Sequence, residues 1–439
     1  MAKIKSDIRD HCYVDTTGYG DRFVGIRADS GNIMVHFPIG YQLPDNEDDI
    51  RQDIIILIAI LSEFGKDNGT INYPNPLNTS RTVELPINAY MRVIRFFLDQ
   101  NAYYIEREQT RKISDKGRID WVASLKHNVS LIDQNGNAFF NNYTVRGLTP
   151  NEKNLITQIH KYCVYVSFKQ LGWLFTDFVP PDPLIEKRYD LFLYILRKKL
   201  NHTHIEKEKE LFESMIAIIQ YLNEVKSEQS FYFGTDRFEY VWEKLIDVIL
   251  GIRNKEDFFP RTHWTLRFAK NRTNHALEPD SIMIHNGKIY VLDAKYYRYG
   301  ITNNPSHLPD SSSINKQIIY AEYIASQQRF REEYGDIVPV FNAFLLPFNR
   351  NNNAFSTDDV FTSVGEATAD WKDGSRDYER IIAVVIDTRF IMYNYYGSHT
   401  EKITRLAETI DRALVRMTNI ITDTDNTFDS VSSATSFSS

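Results

Sequence analysis

The sequence predicts an α+β N-terminal domain and a helical connector, followed by an α/β domain whose mixed central sheet is flanked by helices. Three observations predict it. Short β-prone runs separated by turns open the chain, helical apolar spacing fills its middle, and after Gly234 helix and strand patterns alternate around one tight hairpin.

At 439 residues the chain has room for two or three domains, each able to bury a core without disulfides or structural metals. With 42% apolar, 13% aromatic and 25% charged residues it reads as globular, and the absence of any apolar run of about eighteen residues argues against a membrane span. The opening MAKIKSDIRD has no apolar core behind its lysines, so no secretory signal is expected. Cys12 and Cys163 are too few and too distant for a disulfide framework or a Cys-based zinc site, and a cytoplasmic protein with two reduced thiols is expected. A net charge of −7 is not that of a DNA coat protein, so any nucleic-acid surface must be local.

In chain order, strands are expected over Arg22 to Arg27 and Ile33 to Ile39, either side of a Ser30-Gly31-Asn32 turn. Apolar residues at helical spacing predict helices over Asp49 to Phe64 and Asn88 to Leu98. The stretch Ile119 to Phe140 reads as β, with turn chemistry at Asp133, Asn135 and Gly136, and the first domain is expected to close near Gly147. A helical connector follows over 148–228, interrupted at Pro180, Pro181 and Pro183; its Lys- and Glu-rich part, His204 to Glu210, reads as a solvated face. The third domain spans 229–421, with buried strands at Ile337 to Phe348 and Arg380 to Ile386 and a closing amphipathic helix at His399 to Met417. The tail 422–439 has a disordered composition.

The chemistry concentrates in DSIMIHNGKIYVLDAKYY, residues Asp280 to Tyr297. Asn286-Gly287 between two β-prone runs signals a two-residue hairpin turn. Counting back from it, His285 faces Lys288, Ile284 faces Ile289, Ile282 faces Val291, and Asp280 lands opposite Asp293. The period of two puts Lys295 on the same side as Asp293. Facing Cβ atoms lie about 5 Å apart, where two like charges repel by roughly 3 kcal/mol at an effective dielectric near 20. A divalent cation, Mg2+ or Mn2+ in its place, would relieve that repulsion and leave the lysine to stabilise charge in phosphodiester cleavage. The bland alternative is a surface hairpin with an Asp–Lys salt bridge. Against it, the flanking residues are apolar on both faces, as in a covered sheet.

A third acid is expected on the helix Arg237 to Leu250, where Glu239 and Glu243 compete. Glu239 follows Asp236 by three residues and reads as part of a capping box, which leaves Glu243. Beyond the polar loop Gly300 to Ser313, Gln317 and Tyr320 lie on a helix, either as orienting groups or as a polar face and a core aromatic. Arg261, Arg267, Lys270 and Arg272, with His263 and interleaved with Trp264 and Phe268, are the best local candidates for phosphate contacts; a solvated basic loop is the alternative. No G-x-x-x-x-G-K-[ST] loop and no H-E-x-x-H occurs, and His202 and His204 make a poor metal pair.

The set Glu243, Pro279-Asp280 and Asp293-Ala294-Lys295 resembles the PD-(D/E)XK nuclease superfamily, and LEPDSIMI with YVLDAKYY resembles its McrC and LlaJI restriction-endonuclease branch. Trp242-Glu243-Lys244-Leu245-Ile246 is similar to the segment that opens the McrC nuclease domain. Gln317 resembles the glutamine after the lysine motif, whereas Tyr320 stands one residue closer than the usual spacing. FVGIRADSGNIMVHFPIGYQL looks like the start of LlaJI-type proteins. The resemblance implies a restriction-endonuclease-like third domain with Asp280, Asp293 and Glu243 as metal ligands, cutting double-stranded foreign DNA. It also implies an N-terminal domain that docks on a McrB-like AAA+ GTPase, and a cognate DNA methyltransferase in the same system. Two alternatives stay open: a self-sufficient type II enzyme that reads its own site, and a non-catalytic factor that stimulates a GTPase.

Overall fold

The computed structural model describes residues 8–14, 23–29, 32–68, 85–132, 134–135, 138–176, 178–224 and 231–415. The expected Ser30-Gly31 turn, Asp133 and Gly136, and the tail 422–439 lie outside them. The chain divides into two compact units, Met1–Ser80 with Tyr232–Ser439, and Arg81–Phe231.

This division differs from the expected 1–147, 148–228 and 229–421. The first strands do not build a domain of their own. They form a four-stranded sheet in the order Cys12–Val14, Asn32–Phe37, Val24–Asp29, Phe231–Thr235, whose last member arrives from some two hundred residues later. The approach is close at two glycines: a Cβ on Gly25, whose φ is +144°, would sit 2.2 Å from the Phe233 carbonyl oxygen. The long helix Glu47–Asn68 is tied to the far end of the chain as well, since its fully buried Asp53 accepts from Arg389 Nε and Nη2, each at 3.0 Å.

The heart of this unit is a five-stranded sheet. Its strands are β1 (Ser281–His285), β2 (Lys288–Ala294), β3 (Val340–Phe348), β4 (Phe361–Ala367) and β5 (Ile381–Asp387), in the spatial order β1-β2-β3-β5-β4. The β2, β3 and β5 strands run parallel, and β1 and β4 are antiparallel edges. Every residue of β3 is buried, as a central strand covered on both faces requires. Helix α1 (Phe238–Leu250) buries Phe238, Val241, Trp242, Leu245 and Ile249, the stripe its spacing predicts. Helix α2 (Ser311–Ser326) lays Tyr320, Ala321 and Ile324 on Ile282, Ile289 and Val291. A helix over 400–415 closes the unit, where Lys288 Nζ and Tyr290 Oη hold Asp411 at 2.7 and 3.0 Å. The expected loop from Gly300 is partly helical, with turns at Tyr299–Thr302 and Pro305–His307.

The second unit packs helices Ile87–Gln100, Leu155–Leu171, Tyr189–Asn201 and Glu206–Glu224, and carries a three-stranded sheet of Arg107–Ser114, Tyr143–Pro150 and Arg118–Ile119. Gly147 therefore lies inside a strand and marks no boundary. The β reading of Ile119 to Phe140 fails over Trp121–His127, which is helical: Asp120 caps it by accepting from Ala123 N at 3.3 Å, and Lys126 and His127 sit in its last turn. Exposed Trp121, Val122 and Leu125 on that short helix gave it an apolar, strand-like composition.

Candidate active site

The hairpin turn forms as counted. Asn286 and Gly287 have φ of 49° and 74°, the pair of left-handed residues that a type I′ turn needs. The register runs His285 to Lys288, Ile284 to Ile289, Ile282 to Val291 and ends at Ser281 to Leu292. Asp280 and Asp293 are the next pair along. Asp293 shares its face of β2 with Ile289 and Val291, and sits level with Phe344 near the carboxyl end of the parallel strands, the edge at which open α/β sheets bind ligands.

The two carboxyl groups converge. Asp280 Oδ2 accepts from the Ala294 amide at 2.8 Å, which folds its side chain across the end of β2. Lys295 Nζ lies 2.9 Å from Asp293 Oδ2, with only 20% and 11% of the two side chains exposed. The acidity of Asp280 is strongly weakened, first by burial and then by a hydrogen bond to Asp293 and the charges of Asp293 and Glu243. Burial and the neighbouring acids thus favour the neutral form of Asp280 over its carboxylate. Burial works against the Lys295 charge, but Asp293 and Asp280 outweigh it and hold the ammonium above its ordinary range.

Between the competing glutamates, Glu243 is the one that senses this centre. Its carboxyl is pushed up to about 7, by burial first and by Asp293 next, with Lys295 opposing and Glu239 adding. The preceding residue fixes the helix here: Trp242 Nε1 donates to the Leu345 carbonyl at 3.3 Å, and the same oxygen accepts from Lys295 N at 2.9 Å. The expected Asp236–Glu239 capping box is absent. The N-cap is Arg237, so Asp236 falls one residue too early, and the cap makes no side-chain hydrogen bond.

A brace that the sequence did not reveal holds the start of β1. Asp247 Oδ1 accepts from Lys255 Nζ at 2.7 Å and Ser281 Oγ at 3.0 Å, and Lys255 Nζ also donates to the Asp280 carbonyl. The only hint lay in Asp247 at the solvent border of an amphipathic helix, a place where an acid needs no explanation. Gln317 is fully buried, so the polar-face alternative does not hold; its Nε2 donates to the Val291 carbonyl at 2.7 Å, two residues before Asp293. Tyr320 is also buried, and its hydroxyl is pushed up to about 12 by burial and then by Asp293 and Asp280.

The basic candidates are not part of this cluster. Arg261, Arg267, Lys270 and Arg272 are exposed on a two-stranded ribbon made by His263–Trp264 and Arg272–Thr273. Among the described residues no group of three or more His, Cys, Asp or Glu is arranged to hold a metal ion. The acids form a pair with a third nearby, and Lys295 takes up one oxygen of Asp293 at 2.9 Å. The donor set nonetheless fits a hard divalent cation: two adjacent buried carboxyl groups offer oxygen only, and a cation between them would offset the mutual repulsion that weakens the acidity of Asp280. The larger cavities of this unit, of about 350 Å³ beside Arg350 and Arg389 and about 500 Å³ beside Arg331 and Tyr378, are lined by other residues.

The LlaJI restriction endonuclease model matches residues 23–388, which spans the first strands, the helical unit and the sheet that carries the carboxylates. The chain belongs to the LlaJI restriction endonuclease family. No curated protein matches. One solved structure with a likeness is a half-complex from a tetradecameric assembly of Thermococcus gammatolerans McrB AAA+ hexamers with bound McrC, at 14% identity and a TM-score of 0.38, covering 89% of this chain and 83% of that one. Similarity of that degree carries no function across. Neither cysteine of this LlaJI-family chain is in a disulfide, and Cys163 is buried; no described helix is long and apolar enough to cross a membrane.

Proposed function

We propose that this LlaJI-family chain is a Mg2+-dependent DNA endonuclease subunit of a restriction system, and that the unit carrying the five-stranded sheet is of the PD-(D/E)XK type. The observation that carries the reading is the meeting of Asp280, Asp293 and Lys295 at the end of β2, with Asp280 folded across the strand end and its acidity weakened by burial and by the acids beside it. Asp280 and Asp293 would hold the ion, with Glu243 completing the set. Bound there, Mg2+ supplies Lewis-acid polarisation of a phosphodiester and a lowered pKa for attacking water. Lys295 remains cationic throughout and offers its ammonium to the charge that develops on the phosphate. Glu243, whose carboxyl the nearby Asp293 and its burial push up, would give up its proton on joining the ligand set. Gln317 positions β2 through the Val291 carbonyl. A duplex is far larger than the enclosed cavities, which favours the open sheet edge as its seat.

The McrC-like wording around Glu243 and the lack of a phosphate loop support a partner: an AAA+ GTPase that reads or moves the DNA, with a methyltransferase that protects the host copy. The test is nicking of supercoiled plasmid with Mg2+, with and without that GTPase and GTP, by wild type, Asp293→Ala and Lys295→Ala. Each substitution should lower the rate by about 10²-fold or more. Equal nicking by all three overturns the assignment and leaves the assembly-factor role; cleavage of unmodified DNA by the chain alone, without nucleotide, identifies a self-sufficient type II enzyme.

A further inference from the structure

We propose that the ribbon Pro260–Leu277 is a DNA-groove element, and that Phe268 at its tip wedges into the base stack beside the cleavage site. The inference rests on the nuclease reading and adds how the duplex is engaged. From Phe258 to Leu277 there is no Asp or Glu but four Lys or Arg, in a chain whose net charge is −7. Only a partner with dense negative charge matches a stretch of one sign in an acidic protein.

The ribbon is built to project. The Leu277 amide closes its base on the Pro260 carbonyl at 2.9 Å, three residues before Asp280. His263 pairs with Thr273 and Trp264 with Arg272, and the Leu266 amide donates to Asn271 Oδ1 at 3.0 Å to shape the tip. All residues from Arg261 to Thr273 are exposed. A two-stranded ribbon fits the major groove of B-DNA, about 12 Å wide.

Phe268, midway between the two strands, is 92% exposed and has no core to fill. Arg267 lies over its ring at 5.3 Å, so the most exposed aromatic among the described residues is carried on a cation. Apolar wedges flanked by basic residues unstack base steps and bend the duplex, and the base of this ribbon, at Leu277, stands three residues before Asp280 in the chain.

The full chain, in EDTA, is titrated with a duplex carrying 2-aminopurine at successive steps. Wild type should raise the fluorescence at one step several-fold. Phe268→Ala, which removes no buried contact, should leave it near that of free DNA while binding within about tenfold of wild type, since a wedge's stacking gain is offset by the unstacking it causes. Arg272→Ala should lower the salt slope of binding by about one. An unchanged signal in Phe268→Ala, wild-type binding without unstacking, or ribbon variants that alter only the oligomeric state would each overturn the proposal; the last would make the ribbon a protein contact. Plasmid nicking separates the two readings. Cleavage with no ribbon-dependent unstacking removes the wedge alone, unstacking with no cleavage removes the nuclease alone, and neither binding nor cleavage removes both.

Discussion

Neutralising Glu243 should stabilise the metal-free protein, and only at high pH. In the fold its carboxyl is held near 7, against an ordinary value of 4.5, by burial first and by Asp293 next. The folded state then binds more protons than the unfolded chain between those two values. Stability that is whole below about pH 4.5 is lost as pH rises through about 7. The gap corresponds to about 3 kcal/mol, and because the side chain is only half-buried about 2 kcal/mol is the figure to expect. Glu243→Gln keeps the shape and removes the charge. For a unit of this size that should raise the melting temperature by about 4–8 °C at pH 8.5, with no gain at pH 4.5. Calorimetry of both proteins in EDTA across that range measures it. Curves that run parallel at all pH values would refute the reasoning, since a constant offset means a packing change and not a titration.

Removing the brace by Asp247→Ala leaves Lys255 and Ser281 without their shared acceptor, and should cost about 2 kcal/mol in denaturant titrations while weakening Mg2+ binding measured by calorimetry. Gly25→Val puts a Cβ against the Phe233 carbonyl in a backbone that L side chains rarely adopt; a loss of about 3 kcal/mol or failure to express folded protein is expected, and wild-type stability would contradict the close approach. Arg389→Leu leaves Asp53 buried without its cation and should lower stability by about 3 kcal/mol, most of it recovered in the double variant with Asp53→Asn.

The hairpin was legible because everything that defines it is local. An Asn-Gly pair fixes the turn by the steric ease of positive φ, and a period of two carries that decision outward to Asp280, Asp293 and Lys295 without any distant contact. The apolar stripe of α1 was readable for the same reason, and so were the buried runs of β3 and β5. Four features needed the tertiary structure. The N-terminal strands belong with Phe231–Thr235 because of a pairing across most of the chain, which no local pattern encodes. The choice of Glu243 follows from how α1 is rotated against the sheet, fixed by Trp242 reaching the Leu345 carbonyl. Whether Gln317 was an orienting group or part of a polar face stayed open until the structure buried it, because the face of α2 that meets β2 is decided by packing. The weakened acidity of Asp280 depends first on its burial. Turn and period are set by neighbours in the chain; rotation, pairing and desolvation are set by neighbours in space.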